Sequence, residues 1–186
     1  MDADFSPDLR KIINASVYDN AYKIAWEAPR FWERNFSIYG GISFLDQPVG
    51  LVWYPSSRLF SGKGVVIAGY GLESGTPLET MNLAEKLAAS RESVEFLHPG
   101  HSKDLAKPVC VCWGRIPYSL GSWLSAEEFS VYPGYERVIQ SDDPIFLAGD
   151  HVSHIISWQE GAALSAHRAV SMLTHSQSAQ RFAHPS

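Results

Sequence analysis

The feature that most limits this fold is a series of short apolar runs, four to seven residues long, most of them bounded by glycine or proline. Residues 22–26 (YKIAW), 50–54 (GLVWY), 64–70 (GVVIAGY), 109–113 (VCVCW) and 145–148 (IFLA) are of this kind. Such lengths suit strands and fall short of stable helices. YKIAW alternates ring, charge, aliphatic, small and ring, which predicts a strand with Lys23 and Ala25 on one face. GVVIAGY is apolar throughout, which predicts a strand buried on both faces. IFLA, launched by Pro144, reads as a further strand running into Gly149-Asp150-His151.

Helical spacing occurs in three places. Ser6-Pro7 makes an N-cap followed by proline, and Leu9, Ile12, Ile13, Val17 and Tyr18 follow at three- and four-residue steps, predicting a helix to about residue 18. Leu83, Leu87, Val94 and Leu97 predict an amphipathic helix over 78–97, stopped by Pro99-Gly100. Ala162, Ala163, Ala166 and Ala169 predict a close-packing helix over 161–174, with a polar, frayed tail after His175. Residues 31–35 read as a short turn, and 118–125 as irregular.

Composition narrows the function classes. Fifteen Lys and Arg against twenty Asp and Glu give a formal charge of −5, without the basic footprint of a nucleic-acid binder. No apolar run approaches the ~18 residues that span a bilayer. Asp2, Asp4 and Asp8 occupy the stretch where a secretory signal is cationic and then apolar, so the expectation is an intracellular, cytoplasmic chain without signal peptide. Cys110 and Cys112 are too few and too close for a disulfide framework or a zinc site. Aromatic residues reach 12%, which suits either a ring-rich core or a pocket for a flat ligand.

Two stretches invite a cofactor reading. Gly69-Tyr70-Gly71, after an apolar run, looks like a dinucleotide loop, but the third glycine, Gly75, comes one residue late and Thr76-Pro77 delays the helix. A strand-to-loop reading is preferred there. Near residue 150, an apolar run, a loop with Asp150 and His151, and a small-residue helix make a unit whose helix N-terminus favours electron-rich groups. Asp150 suits sugar hydroxyls and Trp158 a substrate face; a plain corner, with Asp150 as a cap and Trp158 as core, fits the pattern equally. His98, His101, His151 and His154 lack the carboxylate or thiolate companions of a metal site, and no Gly-x-Ser-x-Gly elbow marks a nucleophile.

Residues 146–153 (FLAGDHVS), then Trp158-Gln159-Glu160-Gly161-Ala162 and Ala166-His167-Arg168-Ala169, resemble the C-terminal FAD-binding signature of the flavin amine oxidases, nearest to the L-amino-acid oxidases. Tyr22-Lys23, Phe31-Trp32-Glu33, Gly40-Gly41-Ile42-Ser43, Asp46-Gln47-Pro48, Tyr54-Pro55-Ser56 and residues 64–70 resemble further family motifs in order. The resemblance implies an α/β (α+β) fold: a mixed sheet of the amine-oxidase substrate domain plus a C-terminal strand-helix piece of the FAD-binding domain. It implies an N-terminal helix at 1–20, a substrate-domain-like region at 21–140, an FAD-binding segment at 141–175 and a flexible tail at 176–186.

The resemblance also assigns roles. Lys23 matches the lysine that holds a water near flavin N5, and Tyr70, Trp123 and Trp158 match substrate-side rings. Gly149, Asp150, His151, Trp158, Gln159, Glu160, Gly161 and Ala162 match positions that contact FAD. Asp150 stands for the family's glutamate and is one methylene shorter, and Ser157 stands where glycine precedes the tryptophan. The family's GxGxxG loop and carboxylate-gripping arginine lie in an N-terminal half; Arg115 and Arg137 are weak substitutes. The expected function is therefore the C-terminal part of an FAD-dependent L-amino-acid or amine oxidase, performing oxidative deamination with hydride transfer to flavin and peroxide release. The expected partners are an amino acid or amine substrate and an N-terminal FAD-binding half or separate chain. The alternative is a non-catalytic fragment or interaction module that keeps the fold.

Overall fold

The structure, a computed structural model, describes residues 5–73, 75–125, 142 and 145–183, with side chains described up to residue 175. Ser74, Arg137 and Pro144 lie outside the described residues. Two compact units form, residues 20–121 and residues 1–19 with 122–186. The elements are helices and antiparallel strands, an α+β fold as expected.

In the unit of residues 20–121, β2 (Ala21–Pro29), β3 (Gly41–Phe44), β4 (Leu51–Tyr54), β5 (Lys63–Leu72) and β6 (Ala106–Cys112) form one sheet in the order β3-β4-β5-β2-β6. Every neighbouring pair is antiparallel. Period-two alternation along β2 drives Tyr22, Ile24, Trp26 and Ala28 into the core and leaves Lys23, Ala25 and Glu27 half-buried on the other face. Val52, Tyr54, Val66 and Ala68 join the inward set. β5 is not buried on both faces: Val65 is 48% exposed while Val66 is fully buried. An antiparallel sheet can leave one side to solvent, and continuous apolarity in β5 reflects an open face that is itself apolar, with Ile42, Phe44, Trp53 and Val109 exposed on neighbouring strands.

The inward face is covered by α3 (Leu83–Leu97). Its start lies at Asn82, where Asn82 Oδ1 accepts from the Glu85 amide (3.1 Å) and Glu85 Oε2 from the Asn82 amide (2.7 Å). This capping box replaces the expected start at 78; Pro77–Glu79 is a separate 3-10 turn. The buried residues of α3 are Lys86, Ala89, Ser90, Ser93 and Val94, while Leu83 is 58% exposed. Polar side chains can face a core because each has a partner there. Lys86 pairs with Glu73, Ser90 Oγ accepts from Trp26 Nε1 (2.9 Å) and donates to the Ala68 carbonyl, and the Arg91 guanidinium lies 4.2 Å over the Trp26 ring. Residues 31–36, expected as a turn, form a short helix, α2 (Phe31–Phe36). Phe31 and Trp32 are buried at its start, and Phe31 stacks on His101 with ring centroids 4.4 Å apart.

Residues 1–19 and 122–186 make the second unit. α1 (Pro7–Ala15) begins where Ser6 Oγ accepts from the Leu9 amide (3.2 Å). It ends three residues before the expected position because Ser16 turns to extended geometry and β1 (Tyr18–Asp19) pairs with β7 (Trp123–Leu124). Leu9, Ile12, Leu124 and Val152 form its small core. The expected strand at 145–148 is reduced to one bridge between Asp142 and Ile145. Among the described residues no strand runs beside 146–148, and a strand without a ladder partner leaves its backbone groups unpaired. The last helix, α4 (Gln159–Ala183), runs past the expected limit at 174. No helix among the described residues is long and apolar enough to cross a membrane.

Two expected outcomes follow from the buried polar groups. His98 is buried beside Tyr54, with Tyr54 Oη and His98 Nε2 2.7 Å apart, and burial followed by the charge of His101 lowers its pKa to about 4. A histidine depressed below the unfolded value stabilises the fold fully above about 6.5, and that stability is lost as pH falls toward 4. Thermal melts between pH 7 and 4 should show a falling midpoint, with a shallower fall for His98→Gln. Equal slopes would exclude the assignment. Lys86→Met strips the main partner from buried Glu73 and should cost about 3 kcal/mol in denaturant unfolding, softened by Arg115, which reaches the same oxygen at 3.1 Å.

Candidate functional site

On β2, Lys23 lies opposite Tyr70 of β5. Its Nζ sits 4.8 Å from the centre of the Tyr70 ring, within cation–π range. Tyr70 in turn stacks on Trp53 of β4, with centroids 6.2 Å apart and planes at 30°. A β-bulge makes this possible. Lys23 pairs with Tyr70 but Ala25 pairs with Ile67, so β5 carries one extra residue between them. Gly69 sits there at φ +139, and a Cβ would lie 3.2 Å from the Tyr22 ring. Ile67 and Tyr70 are three residues apart, so regular alternation would put them on opposite faces, and the bulge brings both to the Lys23 face. The same geometry settles the glycine motif: Gly69 and Gly71 lie inside a strand, as the sequence preferred. Among the described residues no carboxylate pairs with Lys23.

Trp53 was not singled out as a site residue. The signal was present, because alternation in LVWY opposes Trp53 to the buried Val52 and Tyr54. What was missing was the bulge that brings Tyr70 beside it. Arg115, a weak candidate for a substrate carboxylate, instead bonds Glu73.

The second set of site residues lies in the other unit, along the corner that leads into α4. The buried Ser165 hydroxyl accepts from the Gly149 amide (2.9 Å) and donates to its carbonyl (2.7 Å), tying the corner to the helix. Asp150 and His151 start a 3-10 turn, Asp150–Val152. Asp150 Oδ2 accepts from the Ser157 amide (3.0 Å), so one carboxylate oxygen pins the loop ahead of the helix. Arg168 Nη2 donates to the Val152 carbonyl (2.8 Å) from the opposite side. Tyr18 is a further neighbour: burial, then the Asp150 charge, raises its phenol pKa.

This stitched loop delivers Trp158 to the surface, 68% exposed, immediately before the first turn of α4. Trp158 is therefore not core. Gln159 and Glu160 are exposed, Gly161 is buried and Ala162 half-buried. A Cβ at Gly161 would lie 2.2 Å from the Ile155 carbonyl oxygen, so only glycine lets the helix start press against the loop. The first-turn amides have no acceptor within the helix, and beside an exposed indole they make a donor set that fits the electron-rich edge of a flavin ring. Trp123 lies elsewhere in the same unit. Its strand neighbour Leu124 enters the core, and Trp123 Nε1 donates to Asp19 Oδ2 (2.9 Å). Among the described residues no group of three metal-ligating side chains forms.

Ser157 explains a departure noted in the sequence. Its φ is +72, the left-handed region that favours glycine. Ser157→Gly is expected to raise unfolding stability by about 1 kcal/mol, whereas Gly161→Ala should lower it by about 2 kcal/mol or more. Parallel denaturant titrations of the two variants check both signs.

Comparison with known proteins gives consistent matches. The model of the family "Flavin containing amine oxidoreductase" matches residues 3–173. An L-amino-acid oxidase of Siganus canaliculatus is 31% identical over 89% of this chain and 33% of its own length. A putative L-amino-acid oxidase of Bacillus subtilis is 25% identical over 88% of this chain and 35% of its own. A flavin-dependent L-tryptophan oxidase of Lentzea aerocolonigenes is 28% identical over 89% of this chain and 36% of its own. The chain thus spans about a third of the length of these relatives.

Proposed function

From the premise that this chain belongs to the flavin-containing amine oxidoreductases, we propose that it supplies the C-terminal flavin contacts and part of the substrate surface of an FAD-dependent L-amino-acid or amine oxidase. The family supports FAD as cofactor and oxidoreductase as class. The observation that carries the reading is the bulge that sets Lys23 against Tyr70 and Trp53 on the open face of the sheet. A lone ammonium beside stacked rings is poor packing for stability and good preparation for a bound water and a flat or apolar substrate.

Bound FAD would supply the hydride acceptor for oxidation of the substrate carbon that bears the amine. Lys23 would hold a water through its Nζ donors and orient it toward the reacting centre. Tyr70 and Trp53 would wall the substrate side and exclude bulk solvent. Trp158 would face the substrate, and the amides of Gln159, Glu160 and Gly161 would meet the ring edge beside Ala162, with Gly149 and His151 shaping the turn. Asp150, already tied through Oδ2, would offer its other oxygen to a sugar hydroxyl. Trp123 would border the substrate side chain. The pyrophosphate would be gripped by a further polypeptide bearing a glycine-rich loop, since this chain covers about a third of its relatives.

The test has two readings. The 186-residue chain alone should keep no stoichiometric flavin absorbance after gel filtration, and a complementing polypeptide with the glycine-rich loop should restore it. Peroxide release over a panel of amino acids and amines should then fall about 100-fold in Lys23→Met, with flavin content unchanged. Flavin retained by the chain alone removes the need for the partner. Unchanged turnover in Lys23→Met removes the assigned role, and no peroxide from any substrate leaves the non-catalytic module.

A further inference from the structure

At the opposite end of β2 from Lys23, about 13 Å along the strand, the loop between β4 and β5 encloses a cavity of about 400 Å³. Arg30, Ser57, Arg58, Ser61, Lys63 and Glu27 line it. The loop is held from beneath. Arg30 is 2% exposed; its Nε donates to Ser61 Oγ (3.0 Å), its Nη2 bonds the Ser57 carbonyl and its Nη1 pairs with Glu33. The second Glu33 oxygen accepts from the Phe60 amide (2.9 Å). Gly64 makes room for this, because a Cβ there would lie 2.7 Å from Arg30 Nε.

So fixed, the loop keeps two non-glycine residues in the left-handed region, Arg58 at φ +54 and Phe60 at φ +62. Such conformations cost free energy and persist where the surroundings impose them. What the loop presents is cationic. Glu27 is shared by Lys63 (3.2 Å) and Lys107 (3.1 Å), and Glu33 is consumed by Arg30. Arg58 has no carboxylate partner among the described residues. Four cations thus stand against two carboxylates, in a chain whose net charge is −5.

We propose that this cavity binds a phosphate dianion, either free phosphate or a phosphomonoester, between Arg58, Lys63 and the Ser57 hydroxyl. A dianion matches the local excess of two positive charges, which a single carboxylate would leave half uncompensated. Guanidinium, ammonium and hydroxyl donors around one cavity suit a tetrahedral group. The space exceeds one phosphate and admits a small organic substituent. The lining lies wholly within residues 27–65, Lys107 entering only through its pair with Glu27, and the proposal is independent of the flavin reading.

Calorimetric titration of the 186-residue chain with inorganic phosphate, glycerol 3-phosphate and acetate, at matched ionic strength, tests it. Saturable 1:1 binding of a phosphate compound, absent with acetate, is expected. Arg58→Ala and Lys63→Met should each weaken it at least tenfold, while circular dichroism reports an unchanged fold; both side chains are exposed, so the fold should survive. Tighter binding of glycerol 3-phosphate points to an ester, and equal binding to free phosphate. No saturable binding, equal binding of acetate, or affinity indifferent to both substitutions overturns the proposal.

Discussion

The structure of the larger unit depends on the double use of β2. One face of that strand sends Tyr22, Ile24, Trp26 and Ala28 into the core, and the other carries Lys23, Ala25 and Glu27. β5 and β6 pair with it from both sides, so any change in its register would exchange core for surface along the middle of the sheet. Tyr22 Oη donates to the Val49 carbonyl (2.7 Å) and Trp26 Nε1 to Ser90 Oγ (2.9 Å), so the two large inward rings are held at their polar ends as well as by packing. That anchoring lets the opposite face carry a cation and stacked rings that contribute little to stability.

The smaller unit solves a different problem. A helix start cannot approach a loop closely unless the loop's polar groups are satisfied and the contact residue is small. Asp150, Ser153, Ser165 and Arg168 meet the first condition, each by a bond within the corner, and Gly161 meets the second. Serine at 157 in a left-handed conformation shows that the corner imposes its shape even on a residue that resists it. What remains outside is Trp158 and a row of amides, an arrangement with more use for a ligand than for packing.

Much of this was legible beforehand. The alternation in YKIAW placed Lys23 and Ala25 on one face, Ser6-Pro7 located the first cap, and the order of motifs named the family. The failures have physical causes. IFLA lacks a neighbour to pair with among the described residues, so propensity alone could not make it a strand. GVVIAGY looked buried on both faces because an apolar open face is indistinguishable, residue by residue, from a second core. The α3 prediction counted leucines, whereas the buried stripe includes Lys86, Ser90 and Ser93. Lys86 is met by Glu73 and Ser90 by Trp26 and Ala68, all distant in sequence, and Ser93 by the Ala89 carbonyl one turn back. The Tyr70–Trp53 stack was invisible because a bulge is a property of two paired strands, and neither strand alone announces it.

That irregularity has an evolutionary corollary. Point replacements elsewhere on the outer surface of the sheet alter one side chain at a time. Removing Gly69 would restore strict odd–even order and still leave Tyr70 opposite Lys23, whereas a side chain at Gly69 would meet the Tyr22 ring at 3.2 Å in a backbone conformation that favours glycine. Identity at that one position is accordingly under tighter constraint than length. Descendants of the same ancestor should keep glycine there or lose the residue outright, and seldom exchange it for a larger one.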